Sequence, residues 1–192
     1  MYTFTLDTNC IFALEESQRI DRLPVLQIVE AHLQKRASVG LVAISASERQ
    51  RGGKPLENFR QFKDRIAELG LGSLEILIPM MYWDVTFWDF SVWADETMED
   101  LERQIHEVLF PAVGFTWAEH CEQTGIRTRE ISISSKRLNA KCDVQVFWSH
   151  VFHKRDVFVT SDLNFHAVTK KERLESLGNC RIEMPSVAAT LC

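Results

Sequence analysis

The sequence predicts an α/β fold in which a parallel central sheet is covered by helices. Three observations point there. Strand-like apolar runs alternate with helical stretches between residues 2 and 78 in the order β-α-β-α-α-β, and a later helix leads into another strand-like run at 156–160. The length, 192 residues, suits a single domain over residues 1–192 with an elaboration. Hydrophobic residues at 45% and charged residues at 26% match an ordinary globular chain, which excludes wholesale disorder and fibrous repeats.

The first strand is Tyr2–Leu6, where apolar and hydroxyl residues alternate before the turn-forming triplet Asp7-Thr8-Asn9. Val25, Leu26, Ile28, Val29 and Leu33 form a helical stripe within 24–36, and residues 37–44 return to a β-like run. Ser45 or Ser47 then reads as a helix N-cap with Glu48 in the first turn. Residues 59–69 form an amphipathic helix closed by Gly70 and Gly72, and 74–78 a third strand. The aromatic stretch 82–93 has no clean period. Met98, Leu101, Ile105, Val108 and Leu109 mark a helix over 94–109 stopped by Pro111, and Thr116 with Glu119 forms a capping box. A longer helix starts near Ser134 or Ser135 and runs to about Lys154. Asp156–Thr160 is a strand that ends in Ser161-Asp162.

The net charge of −5 is unevenly spread. Residues 84–107 hold eight acids and one base, so that segment is −7 and the rest of the chain +2. Lying beside a groove, it would repel RNA; otherwise it is a partner surface or an extra solvated helix. No apolar run nears the ~20 residues that span a bilayer, and the start shows neither basic leader nor cleavable stretch, so a cytoplasmic chain with no membrane partner is expected. Five scattered cysteines, Cys10, Cys121, Cys142, Cys180 and Cys192, form no C-x-x-C and read as reduced, mostly buried thiols.

Four carboxylates recur at the edges of elements: Asp7 after the first strand, Glu48 at a helix start, Asp143 within a helix and Asp162 after a late strand. Ligands collect at the carboxyl ends of strands in open α/β sheets, so Asp7 and Asp162 meet there if their strands are neighbours. Gathered carboxylates repel and raise one another's pKa unless a cation lies between them. Hard oxygen donors without matching His or Cys favour Mg²⁺ or Mn²⁺, and such sites serve phosphodiester hydrolysis. Taken singly, each acid also reads as a turn former, a cap or a solvated edge residue.

Phe4-Thr5-Leu6-Asp7-Thr8-Asn9, Ala46-Ser47-Glu48, Lys141-Cys142-Asp143-Val144-Gln145 and Val157-Phe158-Val159-Thr160-Ser161-Asp162-Leu163-Asn164-Phe165 together resemble the PIN-domain ribonuclease family over roughly 3–80 and 130–185. The resemblance implies a three-layer α/β/α fold and metal-dependent RNA cleavage that leaves a 5′-phosphate and a 3′-hydroxyl. It assigns Asp7, Glu48, Asp143 and Asp162 to catalysis and the metal, with Thr160, Asn9 and Asn164 as supporting groups. It also implies an RNA substrate and, through toxin-like members, an antitoxin protein as partner. Glu48 and Asp143 lie 95 residues apart, longer than in compact toxin-like members, and the surplus coincides with an aromatic and acidic insertion at about 81–111.

Two other classes compete: a catalytically silent PIN-like RNA-binding or scaffold module, and a receiver-like phosphoacceptor, which would want paired acids after the first strand. Arg49, Arg51, Lys54, Arg127, Arg129, Lys136, Arg137, Lys141, Lys170, Lys171 and Arg173 are candidates for a phosphate-holding rim. His150 and His153, and His120 beside Cys121, have spacings seen in transition-metal sites but suit ordinary structural roles better. Trp83, Trp88 and Trp93 could stack bases, anchor the inserted helix or mediate a contact with a second copy of the chain.

Overall fold

The computed structural model describes residues 1–47, 58–82, 86, 90–125 and 135–192, the side chains of residues 135 and 136 excepted. Five strands, β1 (Thr3–Leu6), β2 (Ser38–Val42), β3 (Glu75–Leu77), β4 (Val157–Val159) and β5 (Arg181–Glu183), form one parallel sheet in the order β3-β2-β1-β4-β5. The helices among the described residues are α1 (Thr8–Glu15), α2 (Arg22–Leu33), α3 (Phe59–Glu68), α4 (Glu96–Leu109), α5 (Trp117–Thr124), α6 (Ser135–Phe152), α7 (Leu163–His166), α8 (Val168–Gly178) and α9 (Pro185–Ala188). The strand order differs from the 2-1-3-4-5 order of receiver domains and argues against that reading.

Alternation along the strands sorts the core into two clusters. Phe4, Leu6, Val39, Leu41, Val157 and Val159 pack with apolar residues of α1, α2, α3 and α9, whereas Val42, Leu77, Phe158 and Ile182 pack with those of α4, α6, α7 and α8. The arrangement is compatible with three α/β/α layers. Burial on both faces explains why β2 and β4 read as nearly continuous apolar runs, whereas β1 alternates apolar and hydroxyl residues.

Arg155 ties the amino ends of three strands together. Its Nη2 donates to the Phe4 and Ser38 carbonyls at 2.9 and 3.1 Å, and its Nη1 to Glu75 at 3.0 Å. Gly40 of β2 makes room for this clasp, since a Cβ there would lie 3.1 Å from Leu77 Cγ and 3.3 Å from Arg155 Nη2. Thr5, the one buried polar side chain of β1, is hydrogen-bonded to His150 Nδ1 of α6 at 2.9 Å. Burial, with Arg155 nearby, pushes that imidazole down to about 3, so it is neutral.

Several expectations change. Asp7-Thr8-Asn9 is no open turn: Asp7 is the N-cap of α1, which begins at once. Asp suits both roles for the same reason, since its short carboxylate accepts from nearby backbone N–H groups. Ser45 is no helix N-cap; it lies buried inside a 3₁₀ turn, Ala43–Ala46, and its Oγ accepts from the Thr8 hydroxyl at 2.7 Å. Beyond Asp162, where sequence reading assigns no element, the chain forms α7, α8, β5 and α9. The Thr116–Glu119 capping box is present as expected. None of the five cysteines, all described, forms a disulfide, and Cys10, Cys121 and Cys142 are buried.

The acidic segment is built into the fold. α4 packs on α6 and α8, and Glu102 is fully buried in this contact. Glu102 Oε1 accepts from Lys141 Nζ at 2.7 Å and from Gln145 Nε2 at 2.9 Å, and Oε2 accepts from the Tyr82 hydroxyl. Gln145 Oε1 in turn accepts from the Met80 backbone N–H at 3.0 Å, which holds the chain just after β3 against α6.

Candidate functional site

In the pairing of β1 with β4, Leu6 stands opposite Val159, so Asp7 and Thr160 emerge side by side at the carboxyl edge of the sheet. The chain runs from β1 through β2 and β3 on one side, then to β4 and β5 on the other. This edge is therefore the point where the strand order reverses, and open α/β sheets bind ligands at such points.

Asp7 is held from three directions. Its Oδ1 accepts from the Thr8 backbone N–H at 2.7 Å, and its Oδ2 accepts from Thr160 Oγ1 and from Asn9 Nδ2, both at 2.6 Å. Asn9 also donates to Thr160 Oγ1 at 2.9 Å and accepts from the Ser161 N–H at 3.2 Å. Thr160 Oγ1 further accepts from the Asp162 N–H at 3.0 Å, and Asp162 Oδ1 caps α7 through the Asn164 N–H at 2.9 Å. The strand-end phrases thus form one network that fixes both carboxylates.

Asp143 reaches the same place from α6. Between Ala140 and His150 every residue is buried except Asp143, which is half-buried. A helix buried nearly all round is rigidly placed, so this carboxylate has a fixed position. Asp7, Asn9, Asp143, Ser161 and Asp162, with Phe12 and Arg19, line one cleft of about 320 Å³.

The expected residues therefore divide. Asp7, Asp143, Asp162 and Asn9 line the cleft, and Thr160 braces Asp7 from beneath. Asn164 does not line it; its Oδ1 accepts from Lys170, whose Nζ also donates to the Leu109 carbonyl at the end of α4. Glu48 lies outside the described residues, as do Arg49, Arg51, Lys54, Trp83, Trp88, Arg127 and Arg129. Phe12 and Arg19 were not anticipated. For Phe12 the signal is spacing from Asp7 along α1, and that helix is hidden when Asp7-Thr8-Asn9 is read as a turn; Arg19 lies past the end of α1, where no periodicity marks it.

The basic rim shrinks. Lys141 is buried against Glu102, Arg137 donates to the Gly114 and Phe115 carbonyls, and Lys171 pairs with Glu175 and Glu183. No described residue of the −7 segment lines the cleft. His150 Nδ1 and His153 Nε2 are engaged with Thr5 and the Ile78 carbonyl.

Among the described residues no group of three or more His, Cys, Asp or Glu side chains stands close enough to hold a metal ion. The donor chemistry of the cleft nevertheless fits a hard divalent cation: among the described residues three carboxylates face it, with no His or Cys in the lining. A carboxylate offers about four lone-pair sites. Protein donors occupy three on Asp7, leaving room at Oδ1.

Burial, reinforced by the Asp162 charge and opposed by the hydrogen bonds of Thr160, Thr8 and Asn9, raises the Asp7 carboxyl to about 6. Asp7 is 6% exposed, so solvent screens little of this. The unfolded chain loses this proton near pH 4, whereas the folded chain keeps it until about 6. Stability therefore falls as pH rises through that window, by about 3 kcal/mol, and the penalty is constant above it. Urea unfolding in EDTA should show the wild type losing this much relative to Asp7→Asn between pH 4 and 7. Parallel curves would reject the burial penalty.

No protein-family model, curated protein or solved structure matches the chain. The functional reading therefore rests on the cleft and on the resemblance of its strand-end phrases.

Proposed function

We propose that this chain is a PIN-like, Mg²⁺- or Mn²⁺-dependent endoribonuclease that hydrolyses RNA phosphodiester bonds at the cleft of Asp7, Asp143 and Asp162. The supporting observation is the convergence of these carboxylates, 136 and 19 residues apart along the chain, at the switch point of a parallel sheet. Evenly solvated acids would not need the bracing Asp7 has. In this reading Glu48 completes the set. A bound divalent cation would neutralise phosphate charge and lower the pKa of a water. The residues' own part is positional: Thr8, Asn9 and Thr160 orient Asp7, the α7 cap orients Asp162, and the buried α6 holds Asp143. Pairing with an antitoxin belongs to this proposal and rests on the resemblance alone.

One observation favours a second reading, a silent RNA-binding module: no group of three metal-holding side chains forms among the described residues. Incubating labelled single-stranded and hairpin RNAs with the full chain in Mg²⁺, in Mn²⁺ and in EDTA separates the two. Metal-dependent products ending in 5′-phosphate and 3′-hydroxyl are expected, with none in EDTA. Retained RNA binding with no turnover in either metal would favour the silent module.

A further inference from the structure

The cleft contains two groups that a cation alone would not require. Among the described residues Phe12 is the one apolar side chain in the lining, and Arg19 is its one cation. Arg19 offsets the mutual repulsion of the three carboxylates, and within this lining it is the group able to meet an anion that arrives together with a cation. Phe12 lies on α1, five residues after Asp7, a rise of about 7.5 Å along the helix. That is within one nucleotide's reach.

The ring is held for contact. Phe12 is half-buried rather than sunk in the core, and the Arg65 guanidinium carbon lies over it, 5.4 Å from the centroid. Arg65 is fixed by its pair with Glu15 on the same helix. Arg19, by contrast, is held among the described residues only by an exposed pair with Glu16 at 3.1 Å, a type of contact too weak to keep it from a phosphate. A braced aromatic ring and a partly exposed cation beside carboxylates match single-stranded nucleic-acid recognition, in which bases stack on aromatics and the backbone meets Arg or Lys.

Resting on the nuclease reading, we infer that Phe12 stacks a nucleobase next to the scissile phosphate while Arg19 takes the adjoining phosphate, so the substrate is an RNA segment with at least one unstacked base. Duplex RNA, whose bases are already stacked, is excluded from this seat. Base identity is read weakly, because every base has a π-face.

The test is a binding cycle in EDTA, with the full chain, a fluorescent single-stranded RNA and the same strand carrying single abasic positions. Phe12→Leu, which keeps apolar volume, should weaken binding to the intact strand by roughly 5- to 150-fold, and Phe12→Trp should restore it. One abasic position should weaken the wild type by a similar factor and leave Phe12→Leu unaffected. Arg19→Gln should lower the slope of log affinity against log salt by about 1. Urea midpoints close to wild type establish that the variants fold. Equal binding by Phe12→Leu and wild type, or an abasic loss of the same size in both, overturns the stacking role. A wild type that cuts RNA while the Phe12 variants bind and cut equally well removes this inference alone. A wild type that neither binds nor cuts any RNA removes the nuclease reading beneath it.

Discussion

Lys141→Ala should destabilise the protein by about 3–5 kcal/mol, because it strips the cation from a carboxylate with no solvent to turn to. Glu102 is fully buried, and after the substitution the Gln145 amide and the Tyr82 hydroxyl would remain hydrogen-bonded to it, with the Arg137 charge acting from farther off. Lys141 also sits over two rings, 4.0 Å from the Tyr82 centroid and 4.7 Å from that of Phe115, so packing and cation–π contacts are lost together. A loss of that size is a large part of the 5–15 kcal/mol that typically stabilises a domain. Pairing Lys141→Met with Glu102→Gln should recover most of it, since a neutral, well-filled replacement of a buried ion pair is often no worse than the pair. Urea denaturation of both singles and the double measures the coupling. Additive losses would mean that the two groups do not depend on each other.

This network marks where the sequence misleads. Counting charges over 84–107 makes Glu102 one more solvated acid, yet it follows Met98 by four and precedes Ile105 by three, on the apolar stripe of its own helix. Lys141 and Gln145 likewise share a face of α6 four residues apart, a spacing that local charge counting ignores but helix geometry does not. Reading stripe position before charge sign would have found all three. β2 and β4 were legible because, buried on both faces, they are apolar runs, and β1 because its alternating apolar and hydroxyl residues stop at Asp7. β5 was not, since Arg181-Ile182-Glu183 buries one residue between two charges at the sheet edge. At the site, Asp7 and Asp162 were readable as strand-end carboxylates. That Asp143 faces the same cleft depended on tertiary packing that closes every neighbouring position on α6, and α6 shows its apolar residues over too wide an arc for a one-sided reading.

RNA cleavage should fall by on the order of 10²–10³-fold or more in each of Asp7→Asn, Asp143→Asn and Asp162→Asn, with folding retained in all three. Retention follows from what each side chain does locally. Asn caps a helix about as well as Asp, so Asp162→Asn keeps the bond from the Asn164 N–H and Asp7→Asn keeps the one from Thr8. Asp143→Asn changes no volume at the half-buried position of a helix otherwise fixed by its buried neighbours, so the fold should be retained. Asp7→Asn should be no less stable than wild type above pH 6 in EDTA, because it removes a carboxylate that burial and Asp162 disfavour. Activity and stability then move in opposite directions at one residue, as they do where a fold maintains a strained charge for its chemistry. Adding Mg²⁺ or Mn²⁺ should raise the wild-type unfolding midpoint through binding to the folded state and leave that of Asp7→Asn nearly unmoved. Cleavage within threefold of wild type in all three variants, at equal folded fraction, would place the chemistry away from this cleft.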